Sequence, residues 1–130
     1  MPERSTLPCP CGRDAAYADC CGALHEGRAT ASTAEQLMRS RYTAFVVRNA
    51  AYLQQTWSSR TRPRTVEFTP NLHWTGLEIL ATTDGSPFHT EGTVEFRAHF
   101  TLNGEADSHH EHSTFTRENG SWVYVAALPI

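Results

Sequence analysis

The stretch that decides the fold is HHEHSTFTRENGSWVYVAAL, residues 109–128. Apolar and polar residues alternate on both sides of Asn119-Gly120, and this period of two predicts two β-strands, HHEHSTFTR and SWVYVAAL. Asn-Gly favours the tight two-residue turn of a β-hairpin. Such a turn pairs Phe115 with Tyr124, and both side chains then face the protein interior. The end of the chain is therefore predicted to be an antiparallel hairpin with an apolar inner face.

Two segments upstream of this hairpin have the same period of two. HWTGLEILATT (residues 73–83) and GTVEFRAHFTL (residues 92–102) are predicted strands. Asn103-Gly104, or the residues just after it, should turn the second of them into the hairpin. Four successive strands predict an antiparallel meander.

The segment before the strands has helical periodicity instead. Ser32 and Glu35 resemble a capping box that opens a helix from about Thr33 to Arg48. A shorter helix is predicted in AAYLQQTW, residues 50–57. Helices followed by a meander predict an α+β fold, with the helices packed on one face of a curved antiparallel sheet. The stripe of the first helix that should face the sheet consists of Ala34, Leu37, Met38, Arg41, Tyr42 and Phe45.

Composition excludes several functional classes. The 130 residues carry 11 arginines, no lysine and 14 acidic residues, so the net charge of −3 argues against a nucleic-acid-binding surface. No segment approaches the roughly 18 apolar residues of a membrane span, and the first residues lack the apolar core of a secretory signal. We expect one main domain in the cytoplasm, with neither nucleic acid nor membrane as a partner.

All four cysteines lie in CPCGRDAAYADCC, residues 9–21. A disulfide framework is disfavoured by a reducing compartment and by the short spacings, and a redox site would favour a C-x-x-C motif. A tetrahedral ion such as zinc takes four thiolates, and Gly12 would let the backbone turn between the pairs. Arg13 would offset part of the excess negative charge. His25 is either a substitute ligand or, by our preferred interpretation, a surface residue.

The spacing C-x-C-x8-C-C resembles the SEC-C zinc motif, known from the C-terminal tail of the SecA translocation ATPase. The resemblance covers residues 1–25. It implies a small zinc knuckle with Zn²⁺ as the cofactor and a protein partner contacted through the motif. The ligands carried over are Cys9, Cys11, Cys20 and Cys21.

The rest of the chain resembles the YchJ family of uncharacterised bacterial proteins. The similar segments are residues 37–57, 74–79 and 111–124. Members carry an N-terminal SEC-C motif and a domain similar to nuclear transport factor two. The resemblance implies that residues 26–130 form a cone-shaped, cystatin-like α+β roll.

Arg41 is the residue that least fits its surroundings, because a guanidinium in an apolar stripe needs a partner. Glu111 shares the inward face of its strand with Ser113 and Phe115, so we predict that Arg41 and Glu111 meet beneath the helix. The preferred interpretation is a structural ion pair. The alternative is a ligand pocket in an open cone, lined by Arg41, Tyr42, His109, Glu111 and Ser113.

Two other groups of residues have both a functional and a structural interpretation. His99, His110 and His112 should lie on the outer face of the sheet, where a polar surface is preferred over a second metal site. The aromatic residues are assigned to core packing in preference to a ligand box: Trp57, Trp74, Trp122 and Tyr124.

These observations favour a zinc-binding interaction or adaptor module built on an α+β roll. The alternative is a small-molecule-binding protein, or an enzyme of isomerase or hydratase type, that uses the interior of the cone. The outer face of the sheet could also pair two copies into a homodimer.

Overall fold

A computed structural model describes residues 6–129 of the chain. A 3₁₀ turn at Tyr17–Asp19 is followed by helices α1 (Cys21–His25), α2 (Ala34–Val47) and α3 (Ala50–Gln55). Strands β1 (Leu72–Asp84), β2 (Glu91–Leu102), β3 (Glu105–Glu118) and β4 (Ser121–Leu128) follow. The four strands form one antiparallel sheet in sequence order, so the α+β prediction is confirmed.

The register of the sheet follows from its turns. Asn119 and Gly120 both have positive φ, as the predicted turn requires, and Phe115 pairs with Tyr124. Asn103 and Gly104 form the corresponding turn between β2 and β3. Irregular register in β1 near residues 74–76 and 79–81 adds bulges, which bend a strand and help curve the sheet over the helices.

The start of α2 differs by one residue from the prediction. Thr33 is the N-cap, because its side chain accepts a hydrogen bond from the Gln36 N–H. Gln36 in turn accepts hydrogen bonds from the backbone and hydroxyl of Ser32. Thr33 and Gln36, instead of Ser32 and Glu35, therefore cap the helix, and the return bond from Gln36 goes to Ser32, the residue before the N-cap.

Helix α3 begins immediately after α2 and ends earlier than predicted. Arg48 adopts the left-handed conformation that ends α2, and Asn49 caps α3 by accepting from the Tyr52 N–H. At the other end, the Thr56 hydroxyl donates to the Tyr52 carbonyl, and Trp57 forms a bridge with Tyr124 of β4. The chain therefore leaves the helix at Gln55 to join the sheet.

The main core lies between α2 and the inner face of the sheet. Its buried members are Ala34, Leu37, Met38, Tyr42, Val94, Phe96, Ala98, Phe115 and Trp122. A second cluster joins α1, α2 and α3 through Leu24, Ala44, Tyr52 and Leu53. Within residues 6–129, no helix has the length and apolar character needed to cross a membrane.

Candidate functional site

The four cysteines come together at the N-terminus. Their Sγ atoms all lie within 4.8 Å of one another, and the Cys11 and Cys20 sulfurs are 3.6 Å apart. Four sulfurs about 2.3 Å from a zinc ion would be separated by about 3.8 Å, so the cluster fits a tetrahedral ion after small adjustments. No disulfide links any two of them. The cluster could hold a metal ion.

Local backbone geometry produces this cluster. Gly12 has a φ of +90°, a conformation that glycine adopts readily, and its N–H donates to the Cys9 carbonyl. The 3₁₀ turn then brings the chain back, with Tyr17 packed against the cysteines. A side chain at Gly22 would come within 2.6 Å of the Tyr17 carbonyl, so only glycine lets α1 approach this turn.

The thiols influence one another's ionisation. Hydrogen bonds from Cys11 and Cys21 lower the pKa of Cys9, and hydrogen bonding to Cys11 and Cys9 raises the pKa of Cys21. Burial raises the pKa of Cys20 to about 11, and the hydrogen bond with Cys11 acts in the same direction. Four adjacent thiolates repel, and a divalent cation is what would let all four ionise together.

The knuckle, defined here as residues 6–25, docks on helix α2. Arg39 donates to the Cys11 carbonyl at 2.7 Å, and the Cys9 sulfur lies 3.9 Å from the Thr43 hydroxyl. The half-buried ring of His25 completes the contact, because its Nε2 donates to the Ser40 carbonyl at 2.8 Å. Its Nδ1 therefore accepts from the Tyr17 hydroxyl at 2.6 Å.

His25 is thus neither a surface residue nor a member of the metal-ligating group, and both interpretations of it were wrong. Its ring also packs against Tyr52 at a centroid distance of 4.5 Å. Burial lowers its pKa, which favours the neutral ring that this bonding pattern requires. No sequence pattern signals this role, since the partner atom is a backbone carbonyl of α2.

A cavity of about 420 Å³ lies between α2 and the inner face of the sheet. The structure brings together all five residues predicted to line a pocket, Arg41, Tyr42, His109, Glu111 and Ser113. The remaining wall is apolar and aromatic, and consists of Met38, Phe45, Trp57, Leu72, Trp74, Phe96, Ala98, Phe100 and Tyr124.

Arg41 does not form the predicted ion pair with Glu111. Its Nη1 donates to the Leu53 carbonyl at 2.9 Å and to the Thr56 hydroxyl at 2.7 Å. The guanidinium carbon lies 4.9 Å from the ring centre of Trp57 and 4.8 Å from that of Tyr124. The buried charge is stabilised instead by a backbone carbonyl at the end of α3 and by the faces of two aromatic rings. Burial lowers the pKa of Arg41 to about 10, so the side chain stays protonated at neutral pH.

Glu111 has three hydrogen-bond donors of its own. Ser113 donates at 2.6 Å and Tyr124 at 3.0 Å to one carboxylate oxygen, and His109 Nε2 lies 2.9 Å from the other. Burial by itself would raise the pKa of Glu111, but these three hydrogen bonds outweigh it and the pKa is lowered. The Tyr124 side chain therefore links the two charges, with its ring on Arg41 and its hydroxyl on Glu111.

The outer histidines form pairs with carboxylates. His99 contacts Glu78, and His110 Nε2 lies 2.6 Å from Glu95. Among the described residues, the cysteine cluster is the group whose ligand atoms are close enough to hold a metal. The preferred polar-surface interpretation of this face therefore agrees with the structure.

The aromatic residues divide between the core and the cavity. Trp122 is a buried core residue whose indole N–H donates to the Ser32 carbonyl. Trp74 and Tyr124 pack against the main core as predicted, and together with Trp57 they also line the cavity. Sequence periodicity indicates which face of a strand is inward, but it does not show whether the space there is filled.

Comparison with known proteins places the chain among its relatives. Residues 33–127 match the family described as YchJ, middle NTF2-like domain, and residues 6–23 match the SEC-C motif. A UPF0225 protein of Streptomyces coelicolor is 56% identical over 120 residues, which are 92% of this chain and 94% of the relative. A UPF0225 protein of Corynebacterium glutamicum is 46% identical over 89% of this chain and 92% of its own.

Two solved structures are similar. The solution structure of a SEC-C motif containing protein from Rhodopseudomonas palustris has a TM-score of 0.82 and 30% identity, covering 95% of this chain and 99% of that protein. The crystal structure of a SEC-C motif containing protein from Psychrobacter arcticus has a TM-score of 0.78 and 28% identity, covering 98% of this chain and 86% of that protein. Sequence and structure thus agree that the chain belongs to the uncharacterised YchJ-like UPF0225 family, in which a SEC-C motif precedes an NTF2-like domain.

Proposed function

We propose that this protein binds a small organic ligand in the cavity of the roll, and that the cysteine knuckle is a structural zinc site fixed to the back of α2. The observation that carries the proposal is the cavity of about 420 Å³, which has a mostly aromatic wall and a buried arginine. Ligand pockets typically have this composition, with a few polar groups set in an apolar lining.

The contacts of Glu111 favour ligand binding over isomerase- or hydratase-type catalysis. A general base needs a free lone pair and a pKa close to the working pH. The Glu111 carboxylate already accepts from Ser113, Tyr124 and His109, and these bonds lower its pKa. We therefore assign the cavity a binding role and no reaction.

Native mass spectrometry of protein purified without chelators tests the proposal. We expect one zinc ion per chain and a co-purified or added organic ligand that Ala98→Leu excludes, because Ala98 lines the cavity. Ala126→Leu adds the same volume to an exposed position of β4 and should leave binding unchanged. Equal ligand binding by both variants would contradict the assignment of the cavity. The same spectra report the subunit count, and so test the homodimer that we propose through the outer face of the sheet.

A second function, as a zinc-dependent interaction module, has its own supporting observation. A groove of about 480 Å³ lies where the knuckle meets α2, and its polar and charged lining includes Arg13, Asp14, Asp19, Gln36 and Arg39. Such a lining suits the backbone and side chains of a protein partner. We propose that this partner is met in the cytosol, where reducing conditions keep the four cysteines free as metal ligands.

Affinity capture with a groove variant separates this second function from the first. Arg13→Glu reverses a charge in the groove, whereas Arg60→Glu makes the same change at an exposed position outside it. We expect only Arg13→Glu to lose partners while the zinc content stays the same. Retention of every partner by Arg13→Glu would contradict the adaptor function and leave the cavity proposal standing.

A further inference from the structure

Several hydrogen-bonding groups in the cavity wall have no protein partner. Arg41 is 4% exposed, and both of its hydrogen bonds are made by Nη1, which leaves Nε and Nη2 without a partner among residues 6–129. The hydroxyl of the buried Tyr42 also has no partner within that range. The indole N–H of Trp57 is fully buried and makes no hydrogen bond.

These unpaired groups are donors, or in the case of Tyr42 a hydroxyl that can donate. Leaving such groups unsatisfied in a buried site costs free energy, whereas a ligand with matching acceptors would satisfy them. The cavity therefore favours a ligand rich in acceptors at the end near Arg41.

Most acceptor positions in the cavity are already in use. Glu111 takes hydrogen bonds from Ser113, Tyr124 and His109, which fill three of the about four acceptor positions of a carboxylate and leave little capacity for a ligand donor. His109 retains its second ring nitrogen, but its side chain is 52% exposed and so remains hydrated. The unpaired acceptors that a cationic or donor-rich ligand would need are thus scarce in the interior.

Charge decides between the acceptor-rich ligands. Arg41 carries a buried positive charge without a carboxylate in direct contact, and a guanidinium edge matches a planar carboxylate through two parallel N–H···O bonds. Glu111 contributes one negative charge to the same cavity, so a doubly charged phosphate would leave a larger net negative charge there than a monocarboxylate would. Among acceptor-rich anions, a single carboxylate therefore meets the least repulsion.

The aromatic lining of the cavity indicates the chemical nature of the rest of the ligand. Trp74, Phe96 and Phe100 belong to its wall, and the Trp74 and Phe100 rings contact each other edge to face at 5.4 Å. Flat apolar groups pack well against such rings. We propose that the cavity binds a monocarboxylate with an aromatic or flat apolar body, whose carboxylate is held by the free edge of Arg41 and the Tyr42 hydroxyl. This inference rests on the proposed ligand-binding function and names its ligand class.

Calorimetry with matched acids and amides tests the inference. The probes are benzoate, cinnamate, 2-naphthoate and indole-3-acetate, each compared near neutral pH with its own primary amide, which has the same shape and no charge. We expect at least one acid to bind about tenfold or more tightly than its amide, because hydrogen bonds to an ionised acceptor are roughly twice as strong. Equal affinity of acids and amides would overturn the carboxylate assignment but leave the cavity as a binding site.

Variants assign the preference to particular residues. Arg41→Gln should abolish the preference for the acid. Because that buried substitution can also unfold the protein, a second variant is needed. Tyr42→Phe removes one donor while keeping the ring, and should weaken the acid several-fold more than the amide. Arg117→Gln removes a guanidinium stacked on Trp122, outside the cavity, and serves as the matched control.

The outcomes distinguish this inference from the proposed function. If no acid and no amide binds at millimolar concentration, both the ligand-binding function and the carboxylate inference fail. If folded Arg41→Gln and Tyr42→Phe both prefer the acids as strongly as the wild type does, the ligand lies elsewhere and the assignment to Arg41 is overturned.

Discussion

The knuckle and the roll hold themselves together by different means. The knuckle buries three cysteines against Tyr17 and Cys20, and its regular structure is limited to short pieces that include a 3₁₀ turn and the five-residue helix α1. The roll buries the apolar face of a fourteen-residue helix against a four-stranded sheet. A segment as short as the knuckle cannot bury enough apolar surface to fold by itself. We propose that a metal ion held by the cysteine cluster takes the place of the core.

This difference bears on function. The knuckle is bonded to the back of α2 through Arg39 and His25, whereas the cavity lies on the opposite side of the same helix. One helix therefore carries both candidate sites: Arg39 and Ser40 contact the knuckle, and Arg41 and Tyr42 line the cavity. The contrast predicts that each region can be damaged while the other stays folded.

The largest effect is expected for Cys21→Ser. We expect the zinc content to fall from about one ion per chain to none, because a hydroxyl is a poor substitute for a buried thiolate ligand. Amide exchange should then become fast in residues 6–25 and stay slow in the sheet. Ala23→Ser adds a hydroxyl to the same helix without changing a sulfur, and should keep its zinc. Full zinc content in Cys21→Ser would show that the cluster is not the metal site.

Phe115→Ala should destabilise the roll and leave the metal site intact, which is the opposite of the effect of Cys21→Ser. Phe115 is fully buried in the main core, so the substitution should lower the free energy of unfolding of the roll by about 3–5 kcal/mol. Zinc should still be bound by the folded fraction. Phe88 is 95% exposed, and Phe88→Ala should change the stability by less than about 0.5 kcal/mol in the same denaturant titration. Equal effects of the two variants would contradict the position of the core.

His25→Ala tests the junction between the two regions. The variant loses hydrogen bonds to Ser40 and Tyr17, and we expect a cost of about 1–3 kcal/mol in the stability of the docked knuckle. Faster amide exchange in residues 6–25 should reveal this loss of stability. Substitution of the exposed His73 by Ala should leave the exchange unchanged.

The pH dependence of the same contact gives a second test. Burial lowers the pKa of His25, so the native state favours the neutral ring. The stability that depends on His25 is then fully present above its ordinary pKa of about 6.5 and is lost as the pH falls toward the lowered value. The difference in stability between wild type and His25→Ala should shrink in that direction. A difference that grows on acidification would contradict the neutral ring.

The smallest effect is expected at the start of α2. Thr33→Ala should lower the free energy of unfolding by about 1 kcal/mol, because the Gln36 N–H loses its acceptor. Ser32→Ala keeps that cap, and its smaller effect in the same titration would confirm that Thr33 is the N-cap. A larger loss for Ser32→Ala would restore the capping box read from the sequence.

Features encoded over a few neighbouring residues could be predicted from the sequence. Asn119-Gly120 determined the hairpin register, since both residues accept the positive φ that the turn needs. The spacing of the cysteines likewise identified the group whose sulfurs meet. Strand parity placed His109, Glu111 and Ser113 on the inner face, where the structure finds all three.

Features that depend on distant backbone atoms could not be predicted. Arg41 was paired with Glu111 because a carboxylate is the obvious partner in a list of side chains, yet its acceptors are the Leu53 carbonyl and the Thr56 hydroxyl where α3 ends. His25 likewise bonds to a backbone carbonyl, that of Ser40. Backbone carbonyls occur at every residue, so no sequence pattern marks the one that will be used.

The sequence by itself therefore determined the α+β class, the order of its strands, the cysteine cluster and the inward-facing residues of the sheet. Only the tertiary structure decided that the inward residues enclose a cavity, and that the knuckle rests on the opposite side of the helix that lines it. The physical reason is that turn conformation and side-chain alternation are local properties of the chain. The volume left between a helix and a curved sheet depends on how all of their side chains pack at once.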